Sequence, residues 1–209
     1  MSYTPEQQEH LMRICSSQTR LNIEEVVDVF PYGSRVYSTA RKQSDYDYIV
    51  TIKNKANEQF SNSLININFY TPNEHQKRLN DHEISALECH FLPDNLRIKH
   101  SGLYGFKLDL VKLRHSLSAK SSNSWAKAHK KLTVEKDFDL DLGRKSLFHS
   151  FRIIDFGIQI ATHGKIVDYG SCNDLFKEIM NHYTWNSMFE EYKKRYNELC
   201  SEFRIVAPK

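Results

Sequence analysis

The stretch "YGSRVYSTARKQSDYDYIV", Tyr32 to Val50, constrains the fold more than any other part of the chain. A Gly-Ser pair stands eleven residues ahead of two aspartates spaced Asp-x-Asp, and an apolar run follows them. A glycine that ends a strand lets a ligand come close to backbone amides, and the serine adds a hydroxyl at the same place; together they suit a phosphate. Two aspartates at i and i+2 on a strand project to one face, about two residue rises apart, so both can reach one or two hard cations. Mg²⁺ held by carboxylates and substrate phosphates is the usual arrangement for phosphoryl and nucleotidyl transfer.

The half of the chain up to about Leu113 alternates strand and helix patterns, and the rest reads as mainly helical. "EEVVDVFPYGSR" predicts a first strand ending at Pro31 and Gly33. In "DYDYIVTI", period-2 alternation puts Tyr46, Tyr48 and Val50 on one face and Asp45, Asp47 and Ile49 on the other. "SLININFY" sets Leu64, Asn66 and Asn68 opposite Ile65, Ile67 and Phe69. "NEHQKRLNDHE" predicts an exposed helix, "ISALECHFLP" a strand or a buried helix, and "GFKLDLVKL" a further strand carrying Asp109. The Ser, Asn and Lys-rich stretch "RHSLSAKSSNSWAKAHKK" marks a boundary near residue 116, which divides the chain into 1–115 and a helical 116–209. Beyond it, Leu147, Phe148, Phe151, Ile154, Ile158 and Ala161 share a helical face, with Gly164 at the C-terminal cap. Lys145, His149 and Arg152 line another face, a candidate anion contact. A last amphipathic helix turns Trp185, Met188, Phe189 and Tyr192 inward.

Composition narrows the function classes. The 209 residues carry 29 basic and 26 acidic side chains, a net charge of +3, so a nucleic-acid partner has to be argued from a local patch. The best such patch is Lys127, Lys130 and Lys131 around Trp125, a stacking platform for RNA or else a tryptophan packed on the core. Cys15, Cys89, Cys172 and Cys200 lack metal or disulfide spacing and read as reduced thiols of a cytoplasmic protein. No run approaches the roughly 20 apolar residues of a membrane span, and the N-terminus lacks an export signal.

The motif "GSRVYSTARKQSDYDYIV" resembles the signature of the DNA-polymerase-β-like nucleotidyltransferase superfamily, in particular its stand-alone, RNA-repair and RNA-ligase-associated branch. Gly33, Ser34, Arg35, Ser44, Asp45 and Asp47 match it in order, "ISALECHFLP" places Glu88 on a second family segment, and "KSLFHSFR" matches a Lys-x-x-x-His-x-x-Arg helix through Lys145, His149 and Arg152. The resemblance implies an α+β fold: a polymerase-β-like core of mixed sheet flanked by helices, followed by a mainly helical C-terminal part. It also implies a Mg²⁺- or Mn²⁺-dependent transfer of a nucleoside monophosphate from an NTP to an acceptor hydroxyl, most naturally an RNA (tRNA) end. Asp45 and Asp47 would hold the metal, with Glu88 as a catalytic carboxylate. Gly33, Ser34, Arg35, Ser44, Lys145, His149 and Arg152 would contact the nucleotide.

Two positions depart from that pattern. Ser38 stands where the branch tends to have glycine, and Asn66 stands where the superfamily's third carboxylate usually lies. Asparagine offers a carbonyl oxygen but no charge and no base. Glu88 and Asp109 are the two candidate replacements, and the sequence does not choose between them. Asn66 also supports a second reading, in which a weakened transferase fold binds a nucleotide or RNA as a regulator; a protein hydroxyl is a further candidate acceptor.

Overall fold

The computed structural model describes residues 23–54, 58–62 and 65–208; Cys15, Leu64 and the N-terminal stretch read above lie outside them. Four strands, β1 (Val26–Tyr32), β2 (Tyr46–Ile52), β3 (Glu58–Ser61) and β4 (Ile65–Tyr70), form a mixed sheet in the order β1-β2-β4-β3. β1 runs antiparallel to β2, β2 parallel to β4, and β3 antiparallel to β4. Helices α1 (Pro72–Asn80), α2 (Ile84–Phe91), α3 (Leu110–Thr133), α4 (Leu140–His163), α5 (Asn173–Ile179) and α6 (Trp185–Val206) follow. The α+β class and the helical C-terminal part therefore stand as expected. Among the described residues no helix is long and apolar enough to cross a membrane.

The chain divides into two compact units, Met1–Asn80 with Ser85–Lys107, and Asp81–Ile84 with Leu108–Lys209. Residue 116, where composition put the break, lies inside α3. Ser and Asn are neutral to weak helix formers, but Leu113, Leu117, Ser121, Ala128 and Leu132 give this stretch a continuous buried stripe, and packing overrides propensity.

In the first unit, alternation sends each strand's side chains to two faces. Val29, Tyr48, Val50, Ile52, Ile67 and Phe69 make one apolar cluster with Ile98, while Phe30 and Ile49 pack with Cys89 and Leu92 on the other face. "ISALECHFLP" thus resolves as helix α2, burying Ala86, Leu87 and Cys89. The helix expected to be exposed, α1, hides His75 and Leu79 on one face.

The strand expected in "GFKLDLVKL" is absent. The segment ahead of it is held instead by Asp28, a fully buried carboxylate of β1, which accepts hydrogen bonds from the Thr51 hydroxyl, the Ser101 amide and hydroxyl, and the Tyr104 hydroxyl. Gly102 adopts a left-handed φ of 73°, and the chain then reaches Asp109, which caps α3 by accepting from the Lys112 amide at 3.0 Å. The apolar-Asp-apolar pattern around Asp109 is the start of a helix, where it mimics a strand over too few residues to be told apart.

The second unit is built on α3, α4 and α6. The Ser121 hydroxyl of α3 donates to the Ser150 carbonyl of α4 at 2.7 Å and lies 2.7 Å from the Tyr196 hydroxyl of α6, so one polar knot pins three helices. Gly164 closes α4 with φ 72°, as its position predicted. On α6, Met188, Tyr192, Tyr196 and Phe203 are buried, but Phe189 is 41% exposed and does not belong to the inward face. The apolar stripe runs through 188, 192 and 196, and 189 is rotated about 100° from it.

His75 gives this fold a pH signature. It is buried against Phe30, ring centroids 5.5 Å apart, and its Nδ1 has no hydrogen-bond partner. Burial pushes its imidazole down to about 4. Below its ordinary value of 6.5 the unfolded chain takes up a proton that the folded chain refuses, so stability falls as pH drops from 6.5 toward about 4 and is level above. The expected result is a melting temperature that declines over this window, with a shallower decline in His75→Phe, measured by circular dichroism at pH 7.5, 6.0, 5.0 and 4.5.

Candidate active site

The site begins with sheet register. Tyr32 lies opposite Asp47, Asp47 opposite Asn66, and Asn66 opposite Ser61, so these four side chains form one row across all four strands on one face. Asp45 stands just ahead of β2 and reaches the same row: the Asn66 side-chain amide donates to Asp45 Oδ2 and, at 3.2 Å, to Asp47 Oδ1. The Ser61 hydroxyl donates to Asn66 Oδ1. In the next row, the Asn68 amide donates to the Tyr32 hydroxyl at 2.8 Å. Burial, followed by the negative charge of Asp47, drives the Tyr32 phenol well above its usual range, so it stays a neutral hydroxyl beside the carboxylates.

The Gly-Ser turn is fitted against this row. Gly33 has φ 82°, and a Cβ there would overlap the Asp47 carboxylate, standing 3.2 Å from its Cβ and Cγ. Two independent constraints therefore demand glycine: the left-handed backbone and the close approach of Asp47. The Gly33 carbonyl accepts from the Val36 and Tyr37 amides at 3.0 and 3.2 Å, and the Ser34 carbonyl accepts from the Thr39 amide at 2.9 Å. The turn is helical in kind, with the Ser34 and Arg35 N–H groups at its opening, where a helical turn has no internal partner. Ser38 ends it with φ 61°, which explains why glycine suits this position in the family it resembles.

Arg35 and Ser44 have structural work in this arrangement. The Arg35 guanidinium donates to the Asp45 carbonyl at 3.1 Å and the Ser44 carbonyl at 2.5 Å, and it lies 3.6 Å over the Tyr46 ring. It thereby clamps the phosphate-type turn to the start of the carboxylate strand. The Ser44 hydroxyl accepts from the Arg41 amide at 2.8 Å and closes the intervening loop. Glu88, 3% exposed on α2, accepts a hydrogen bond from the buried Tyr37 hydroxyl, which ties α2 to the same turn.

The second unit gathers the other predicted residues. On α4, Arg152 is 5% exposed and donates to His149 Nδ1 from Nε at 3.3 Å and from Nη2 at 3.1 Å. Because arginine can only donate, Nδ1 must accept and the proton of the neutral ring sits on Nε2. Burial first, then the charges of Arg152, Lys127, Lys145 and Lys120, pushes His149 down to about 3. Lys145 pairs with Asp141 at 2.8 Å, and Lys130 and Lys131 flank Asp137 at 2.8 and 3.9 Å. Trp125 stacks on Tyr196 with ring centroids 4.4 Å apart and meets Phe151 and Trp185 at its edges. This is the packing alternative of the sequence reading, with one ring face occupied from within the unit.

Residues 12–103 match the family model of the nucleotidyltransferase domain. The match takes in the whole sheet, α1 and α2, and with them the Gly33 turn, the Asp45 and Asp47 pair, and Glu88. It supports the polymerase-β-like nucleotidyltransferase superfamily for this segment and, in general terms, nucleotidyl transfer. No curated protein matches the chain.

The charged donors of this nucleotidyltransferase-like segment are Asp45 and Asp47. Asp45 Oδ2 and Asp47 Oδ1 converge on one point, now marked by the Asn66 amide nitrogen. Two converging carboxylates are what a protein offers to a Mg²⁺ that also binds substrate phosphates, so these residues fit the ion. Among the described residues no group of three or more His, Cys, Asp or Glu side chains is placed to hold a metal, so the charged set is this pair, with Asn66 as its neutral neighbour.

Sequence reasoning passed over Tyr32, Ser61 and Tyr37. Their roles come from cross-strand register and from a contact 51 residues apart, neither of which periodicity reports. Two substitutions should show the construction. Gly33→Ala is expected to cost about 2 kcal/mol or more, from left-handed strain plus displacement of Asp47. Tyr37→Phe should cost about 2 kcal/mol by removing a donor from a buried carboxylate. Urea denaturation of the three proteins measures both.

Proposed function

We propose that the protein is a Mg²⁺-dependent nucleotidyltransferase that moves a nucleoside monophosphate from an NTP to a hydroxyl at an RNA end, with a tRNA as the natural acceptor class. The observation that carries this reading is the convergence of Asp45 and Asp47 directly beside the Gly33 turn. The nucleotidyltransferase-domain match supports the chemistry. The resemblance to the RNA-repair branch, and the cationic residues Lys120, Lys127, Lys145 and Arg152 around His149, support a polyanionic acceptor.

Asp45 and Asp47 hold the divalent ion, which when bound neutralises triphosphate charge and polarises the α-phosphate. Gly33 lets the phosphates approach the turn, where the Ser34 and Arg35 backbone N–H groups and the Ser34 hydroxyl bind them. Arg35 is a positioning residue, because its guanidinium is spent on the Ser44 and Asp45 carbonyls. Glu88 acts through Tyr37 in the same way. The acceptor oxygen forms its bond to the α-phosphorus as the bond to the pyrophosphate oxygen breaks, and the acceptor proton passes to a carboxylate of the pair or to solvent. His149, neutral with Nε2–H outward of its arginine bond, serves as a hydrogen-bond donor and not as a cation at neutral pH.

The test is label transfer from each α-³²P nucleoside triphosphate, with Mg²⁺ or Mn²⁺, to total RNA and to protein, beside Asp45→Asn/Asp47→Asn. Label that enters RNA, survives protease and disappears in the double variant is the expected result. Label in protein moves the acceptor to a protein hydroxyl. Nucleotide binding without label on either favours the second reading that Asn66 raises, a nucleotide-binding regulatory module. Activity should not fall between pH 8 and 6 through His149, since its proton is taken up only near pH 3.

A further inference from the structure

We infer that Asn66, aimed by Ser61, is a built-in counter-donor that competes with the divalent ion for the carboxylates of Asp45 and Asp47, so that the ion binds well only together with a triphosphate. The inference rests on the nucleotidyl-transfer reading of this site and goes beyond it to what the site accepts: a metal–nucleotide complex and not the free ion.

The direction of the hydrogen bonds carries the argument. Carboxylates only accept, so the group between Asp45 Oδ2 and Asp47 Oδ1 must present N–H, and the Asn66 amide does so toward both. That leaves Asn66 Oδ1 facing the other way, where the Ser61 hydroxyl donates to it. The carboxylates fix which end of the amide meets them, and the antiparallel β3–β4 register sets Ser61 opposite Asn66, where its hydroxyl can donate to the remaining oxygen. The result is a one-way chain of donors, Ser61 to Asn66 to the carboxylate pair. It holds two like charges together with a neutral group, the task otherwise done by a cation. An ion entering at that point has to displace both N–H···O contacts, and the pair offers it only two negative charges. Triphosphate oxygens supply the remaining charge and ligands.

Aspartate has the shape of asparagine with the opposite hydrogen-bonding sense. Asn66→Asp would remove both donors and add a third carboxylate to the row, while Ser61 could still donate to it. The metal-free protein then loses stability through like-charge repulsion, and the ion gains a ligand and loses its competitor.

The experiment titrates Mn²⁺ into the full chain, followed by the electron paramagnetic resonance signal of the free ion, and pairs this with thermal melting in EDTA and in Mn²⁺. The proteins are the wild type, Asn66→Asp, Asn66→Ala, Ser61→Ala and Asp45→Asn/Asp47→Asn. For the wild type, Mn²⁺ should bind about 10-fold more tightly or better when a non-hydrolysable nucleoside triphosphate is present. Asn66→Asp should melt below the wild type in EDTA, gain more from Mn²⁺, and bind the ion alone about 10-fold more tightly or better. Asn66→Ala removes the donors without adding charge and should also tighten Mn²⁺ binding, which keeps the test open if the aspartate variant does not fold. Ser61→Ala, which removes the donor that holds Asn66 Oδ1 and so loosens the amide, should shift Mn²⁺ affinity in the same direction by less. Equal Mn²⁺ affinities in the wild type, Asn66→Asp and Asn66→Ala overturn the inference while leaving transfer chemistry intact. Mn²⁺ binding that ignores Asp45→Asn/Asp47→Asn overturns the reading of the carboxylate pair itself, and the inference with it.

Discussion

Two carboxylates at one end of a sheet repel each other, and the first unit is arranged around keeping them close. Asn66 bridges them from β4, Arg35 fastens the backbone just ahead of them, and Gly33 yields the space that Asp47 occupies. None of these elements makes sense alone. Glycine takes the positive φ at position 33 without strain, and its missing Cβ leaves the space that the Asp47 carboxylate fills. The apolar clusters on the two sheet faces supply the stability that lets this end be polar.

The Gly33 turn and the β2 carboxylates were legible in the sequence because both are local: the spacing, the alternation and the family resemblance all act within twenty residues. Asn66 was legible too, through the resemblance that sets it where a third carboxylate usually lies, and the parallel register puts it opposite Asp47. What failed were inferences on short segments. "GFKLDLVKL" alternates like a strand, but the chain ahead of it is held by a carboxylate more than 70 residues upstream, and its last residues begin a helix. Around residue 116 the Ser and Asn content read as a boundary, while the apolar spacing carries the helix α3 straight through it. The roles of Arg35, Glu88 and Ser61 depended on partners that no local pattern names.

The second unit tells a complementary story. Its helix α4 carries the apolar face that the sequence announced, yet Arg152, read from the sequence as part of a stripe forming a candidate anion contact, is buried with its guanidinium on a histidine nitrogen. A cation so placed holds its neighbour neutral and fixes one tautomer. The stripe is therefore graded, with a buried donor at one end and a half-exposed, ion-paired lysine at the other.

Asp28 bears on how the protein is made. Its ligands at Ser101 and Tyr104 lie 73 and 76 residues downstream, so the sheet remains open-ended on the ribosome until the chain past Tyr104 has emerged. Until then a carboxylate destined for complete burial stays in water, and the β1 end of the sheet lacks its closing segment. In the second unit α3 and α4 are sequence neighbours and can pair as soon as both are made, whereas the Ser121–Tyr196 contact, 75 residues apart, waits for α6. Synthesis thus delivers the unit with the catalytic-type residues first but lets it close late, shortly before the helical unit begins.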